Sequence, residues 1–290
     1  MSFGSDLKEK FDFLTKGSRY IEVELFTKLQ DALLLLQEKY GSYGIKLIHG
    51  DRSKVSFAVS SNYVIGTTGT DMTRELADMF FIVMSPRRKE IRCFFLQNKD
   101  GDRFLPEHVF SAELIQLDLL KHRSVFQYHN KACNILSAAQ LPSIASYGVF
   151  YHSENYNYNM AYIPADKIEP IKSTGKGLVR CVKCDASWGT CRDVNGYRQL
   201  DGCETLTEFA NGMINMTIGE PLRSLKTIRH ICGQEVEKMC MSLLENNDKT
   251  VWVDSDEDYL RDLERFEVSG EIATKSIVII NADQLETQCE

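Results

Sequence analysis

Between Ser18 and Tyr40 the apolar residues Ile21, Leu25, Leu29, Leu33 and Leu36 recur at three- or four-residue steps, the period of one helical face. Ser18 is a candidate N-cap, and Gly41 and Gly44 punctuate the far end, so a helix is predicted over about 18–40. "KLIHG" and "SKVSFAVSS" read as short strands, and "GTTGTD" as a loop too poorly patterned to cradle phosphate. The clearest unit follows. "DMFFIVM" and "IRCFFLQ" are apolar, aromatic-rich runs joined by the polar turn "SPRRKE", which predicts an antiparallel hairpin of buried strands.

Beyond the hairpin, Leu114, Leu117 and Leu120 keep helical spacing in "SAELIQLDLLKHRSVFQ", with Ser111 as the candidate cap. "YGVFYHS" and "NMAYIPA" are two further strands, and "KSTGKG" is a loop. "ETLTEFANGMINMTIG" reads as a helix, as does "PLRSLKTIRHICGQEVEKMCMSLLE", the latter opening on Pro221, a residue suited to a first helical turn. A surface helix is expected within Asp248–Glu267, and "KSIVIIN" is a late strand. This order predicts an α/β fold, a central mixed β-sheet flanked by helices. The expected division is a core over 1–170 and an α+β C-terminal extension over 171–290, packed on the core.

Composition narrows the class. A 43% hydrophobic and 26% charged chain of 290 residues can bury a substantial core. Its longest apolar runs, such as "MFFIVM", are too short to span a bilayer, so no membrane partner is expected. The polar start "MSFGSDLKEKFDFL" has no leader-like apolar run, which argues for a cytoplasmic protein with reduced thiols among its nine cysteines. The net charge of −7 resides at one end: residues 246–290 hold 12 acidic and 4 basic side chains, leaving 30 basic and 29 acidic residues before them. A near-neutral body of this kind leaves a DNA partner open, because local Lys/Arg placement decides phosphate affinity.

The hairpin concentrates the chemistry. Asp78 opens its first strand, and Gln97 and Lys99 close its second, projecting to one side with Asn98 opposite. Pairing the strands brings a carboxylate, an amide and an ammonium together at one sheet end. Such a group suits phosphodiester hydrolysis with Mg2+ or Mn2+. Asp78 is the expected metal ligand, helped by the Gln97 side-chain oxygen and the Asn98 carbonyl. Lys99 is expected to orient water or neutralise transition-state charge.

These residues resemble the PD-(D/E)XK, or restriction endonuclease-like, nuclease superfamily. "ELADMFFIV" supplies the acid at a strand start, and "FFLQNK" supplies the following triplet, with Gln97 in place of the second acid. The resemblance covers roughly 18–130. It implies a supporting acid from the preceding helix, Glu22 first and Glu24 next, and an approach of Gln116 from the following helix. It also implies a DNA endonuclease of restriction or anti-phage defence, while the acidic C-terminal part and the lack of an obvious separate DNA-reading module point to a partner subunit or a homo-oligomer. The Gln97 departure motivates a rival: a catalytically inactive DNA-binding or assembly subunit of the same fold.

Other residues carry weaker signals. Cys181, Cys184, Cys191 and Cys203 could close a structural Zn2+ site, against the alternative of free thiols in a β-rich segment. Arg223, Lys226, Arg229 and His230 share one helical face that could contact DNA phosphates or simply be solvated. Arg87, Arg88 and Lys89 form an exposed turn first and a phosphate contact second, and His49, His122, His129 and His152 show no metal or triad spacing.

Overall fold

The computed structural model describes residues 2–40, 43–47, 54–60, 69–101, 109–153, 155–172, 180–245 and 274–283. Helix α1 (Phe3–Thr15) starts the chain, capped by the Ser2 hydroxyl accepting from the Ser5 N–H. The sequence reading passed over it, although Phe3, Leu7 and Phe11 form a buried stripe at four-residue steps. Helix α2 (Glu22–Tyr40) follows, beginning four residues later than the predicted cap.

Strands β1 (Tyr43–Leu47), β2 (Lys54–Ala58), β3 (Asp71–Glu75), β4 (Ala77–Ser85), β5 (Glu90–Asp100) and β6 (Val109–Ala112) come next. After α3 (Leu114–His122) lie β7 (Phe126–Tyr128), β8 (Lys131–Cys133), β9 (Ala145–His152), β10 (Tyr158–Pro164), β11 (Ile168–Lys172) and β12 (Arg180–Cys184). The chain continues through β13 (Cys191–Val194), β14 (Tyr197–Leu200), α4 (Leu206–Ile214), β15 (Glu220–Leu222), α5 (Leu225–Cys232), α6 (Gln234–Glu245) and β16 (Thr274–Asn281). The molecule is mixed α/β.

The main sheet runs β1-β16-β4-β5-β9-β10, with β15 paired to β5 beside it. It is mixed: β16 is parallel to β4 and β9 is parallel to β5, while the other pairs are antiparallel. The predicted β4–β5 hairpin is present, with Met79 opposite Leu96 and Ser85 opposite Glu90. Every β4 residue is buried, because side chains pack on both sheet faces. One face carries Phe80, Ile82, Phe95, Ile277 and the α3, α5 and α6 helices. The other carries Phe81, Phe94, Val278 and α1, α2 and α4.

Three local expectations are corrected. Ser111 does not cap α3: it lies in β6 opposite Cys181, and α3 starts after Glu113, whose carboxylate is taken by Arg74. Pro221 opens no helix but sits in β15 opposite Arg92; the helix begins after Ser224, whose hydroxyl accepts from the Lys226 N–H. The single long helix expected there is two, because Gly233 takes φ 90° and ends α5 before α6 begins. The 171–290 part contributes β15 and β16 to the main sheet itself. The "KSTGKG" loop after Lys172, the first half of "GTTGTD", the Asp248–Glu267 segment and His49 lie outside the described residues. Among the described residues, no helix is long and apolar enough to cross a membrane.

Candidate functional site

Register lines up four side chains across the sheet. The pairs Thr274–Ala77 and Ser276–Met79 set Lys275 of β16 beside Asp78 of β4. Met79–Leu96 sets Asp78 beside Gln97 of β5, and Gln97 pairs with Tyr147 of β9. Strand alternation then places Lys275, Asp78, Gln97 and Tyr147 in one row on one face.

Hydrogen bonds fill in the row. Asp78 Oδ2 accepts from Gln97 Nε2 at 2.7 Å and from the Asn98 backbone N–H at 2.8 Å. Its Oδ1 accepts from Lys275 Nζ at 2.8 Å, and Lys275 also reaches Glu75 Oε2 at 3.0 Å. Gln97 Oε1 accepts from Gln116 Nε2 at 2.7 Å, and the same Gln116 nitrogen donates to the Glu75 carbonyl at 3.1 Å. Lys99 Nζ stands 3.0 Å from Glu22 Oε1, at the first turn of α2.

Four of the sequence-selected residues, Asp78, Gln97, Asn98 and Gln116, thus share one buried network, and Lys99 and Glu22 pair with each other. Glu24 instead accepts from the Ile21 N–H and serves as a local cap.

The Gln97 side chain, expected to offer its oxygen to a metal, is placed between Asp78 and Gln116. An ionised carboxylate only accepts, so the amide turns its NH2 toward Asp78, and its oxygen faces Gln116. The Gln97 NH2 also covers the Asn98 carbonyl at 3.1 Å. The Asn98 amide is on the opposite face, buried without a hydrogen-bond partner among the described residues.

Sequence reasoning missed Lys275 and Tyr147 and gave Glu75 only an auxiliary place. Lys275 is held in its charged form: burial disfavours the ammonium, but Asp78 and Glu75 outweigh it and raise its pKa. The Tyr147 hydroxyl is fully buried and has no partner among the described residues. Burial, with Glu113, Asp78 and Glu22 nearby, raises its pKa far above the ordinary phenol value, so it stays neutral. The available signal for Lys275 was a lone cation opening the apolar run "KSIVIIN", the mirror of Lys99 closing "IRCFFLQNK".

Asp78 and Glu75, which meet at Lys275, are a pair of carboxylates of the kind Mg2+ or Mn2+ takes alongside water and phosphate oxygens, so these two residues fit such an ion by chemistry. The position between Asp78 Oδ1 and Glu75 Oε2 is taken by the Lys275 ammonium.

The remaining candidates lie elsewhere. Cys184 and Cys203 are buried and Cys191 is exposed, while the Cys181 side chain lies outside the described part. Burial pushes the Cys184 thiol up to about 11. Among the described residues, no three His, Cys, Asp or Glu side chains are grouped as metal ligands. Arg223, Lys226 and Arg229 stand on the exposed side of α5 and its entry, with Arg229 3.7 Å from Glu237 of α6. A cavity of about 740 Å³ opens at the other end of the hairpin, lined by Arg88, Arg92, Tyr197, Arg198 and Asn211 among others.

Comparison with family models, with curated proteins and with solved structures returns no match to this chain.

Proposed function

We propose that this chain is a metal-dependent nuclease of the restriction endonuclease-like kind, an endonuclease acting on DNA in restriction or anti-phage defence. The observation that carries this reading is the convergence of Asp78, Gln97, Lys99, Glu22 and Gln116 from two paired strands and their two flanking helices at one sheet end. That supports the order of parts the resemblance implies: acid from the preceding helix, acid at a strand start, lysine on the next strand, glutamine from the following helix. The strand after that helix, β9, returns parallel to β5.

Asp78 and Glu75 would hold the divalent cation, which when bound supplies charge for the scissile phosphate and a more acidic bound water. Lys99, half-buried and anchored by Glu22, would place a fixed positive charge where the phosphorane gains negative charge. Gln97 and Gln116 orient Asp78 by fixing one of its oxygens. Arg223, Lys226 and Arg229 offer phosphate contacts that position a duplex without reading its sequence.

A second reading, a catalytically inactive DNA-binding or assembly subunit, is favoured by Gln97 in place of an acid and by Lys275 covering Asp78 Oδ1. The test is incubation of purified protein with supercoiled, linear and single-stranded DNA and with RNA, in Mg2+ or Mn2+. The expected outcome is cleavage by the wild type that falls by about 10²-fold or more in Asp78→Ala and in Lys99→Ala. Cleavage that persists unchanged in both variants removes the site assignment. Retardation of DNA without cleavage supports the inactive reading.

A further inference from the structure

We propose that Lys275 and a divalent cation compete for the same carboxylates, so that metal loading of this site requires the Lys275 ammonium to withdraw. This rests on the reading of Asp78 as a metal ligand and adds a control that the resemblance does not contain.

The argument starts from the lone pairs of Asp78. Its Oδ2 is committed to two protein donors, Gln97 Nε2 and the Asn98 N–H, both within 2.8 Å. Only Oδ1 remains for an added ligand, and Lys275 Nζ sits on it at 2.8 Å. A second carboxylate oxygen, Glu75 Oε2, is also on Lys275, at 3.0 Å. A metal of this class binds oxygen at roughly 2.0–2.1 Å. It cannot share that gap with an ammonium, and two positive charges that close repel strongly.

The two partners differ in freedom. The Asp78 side chain is 5% exposed and held from three directions, whereas that of Lys275 is 37% exposed on a long flexible stem. The carboxylate is therefore built in, and the lysine is the group able to leave. The ammonium supplies positive charge where a metal would bring it. It keeps a buried carboxylate neutralised when no metal is bound.

The test needs no nucleic acid. Full-length wild type, Lys275→Met and the double variant Lys275→Met/Asp78→Asn are titrated with Mn2+, with free Mn2+ read by electron paramagnetic resonance. Removing the competitor is expected to tighten binding of one Mn2+ by about tenfold or more, and the double variant is expected to lose that site. Unchanged Mn2+ affinity in Lys275→Met, with wild-type circular dichroism, overturns the proposal.

Should Lys275→Met fail to fold, acylation of Lys275 in the wild type by an N-hydroxysuccinimide ester, read by mass spectrometry, decides instead. Competition requires saturating Mn2+ to raise labelling of Lys275; labelling that stays constant as Mn2+ saturates Asp78 overturns it. Tight Mn2+ binding without nucleic-acid cleavage would count against the nuclease reading alone. Mn2+-dependent cleavage with unchanged affinity in Lys275→Met would count against the competition alone.

Discussion

Gln97 is where the site departs from the pattern it resembles, and its surroundings explain the departure. The Gln97 NH2 lies 2.7 Å from Asp78 Oδ2 in a buried setting, where a neutral donor satisfies the carboxylate. A glutamate at the same place would set two carboxylates in contact, with one lysine, Lys275, on the far oxygen of Asp78. Like charges at that separation disfavour ionisation of both. Gln97→Glu is therefore expected to cost about 1–3 kcal/mol in metal-free unfolding by urea, with Mg2+ or Mn2+ restoring much of the loss by binding the folded state. A variant whose stability stays indifferent to metal would count against Asp78 as a ligand. The amide's turn toward Asp78 follows from donor–acceptor chemistry once the two are adjacent, and its oxygen accepts from Gln116 Nε2. Adjacency was legible in the sequence; the hydrogen bond from Gln116 depends on a helix from further along the chain.

At the scale of elements, the α1–α2 pair shows how a polar residue missed in the sequence holds two helices together. Asp6 of α1 accepts from Lys39 Nζ at 2.5 Å and from the Tyr40 hydroxyl of α2, while Phe3 meets the Tyr40 ring edge-on at 5.7 Å. Burial pushes the Asp6 carboxyl up, but the hydrogen bonds from Lys39 and Tyr40 outweigh it and hold the pKa below its ordinary value. A group depressed in the folded state stabilises it above the unfolded pKa, and that contribution is lost as pH falls through the folded pKa. Asp6→Asn should thus lower stability at neutral pH by about 1.5–3 kcal/mol, the range for hydrogen bonds to a charged group. The gap from wild type should close as pH drops below about 4, measured by thermal unfolding across pH. A gap independent of pH would mean that Asp6 acts by packing alone. The correctly read elements, α2 and the β4–β5 hairpin, have long uninterrupted periods or a short polar turn between matched runs. The misread helix starts at Ser111 and Pro221 had suitable residues, but strand partners from elsewhere in the chain claimed both.

The main sheet as a whole depends on a strand from the far end of the chain. β16 lies between β1 and β4, and its Ile277, Val278, Ile279 and Ile280 are buried on both faces. Removing residues 274–290 would strip backbone partners from both neighbours and expose the apolar faces of β4. The expected result is loss of cooperative unfolding and of near-ultraviolet circular dichroism; a truncated chain that still unfolds in one sharp transition would contradict the placement of β16. The same strand delivers Lys275, so sheet assembly and the polarity of the candidate site are set together.

Local periodicity and turn chemistry by themselves determined that Asp78, Gln97 and Lys99 share one sheet end, because a hairpin with a short turn fixes its own register. They also determined the amphipathic α2 that carries Glu22. Tertiary structure alone decided that "KSIVIIN" becomes an inner strand parallel to β4, that Lys275 meets Asp78 Oδ1 and that Glu75 completes its pair. Partner choice over 197 residues of chain leaves no trace in a local period. It is settled by which apolar faces must be covered at once.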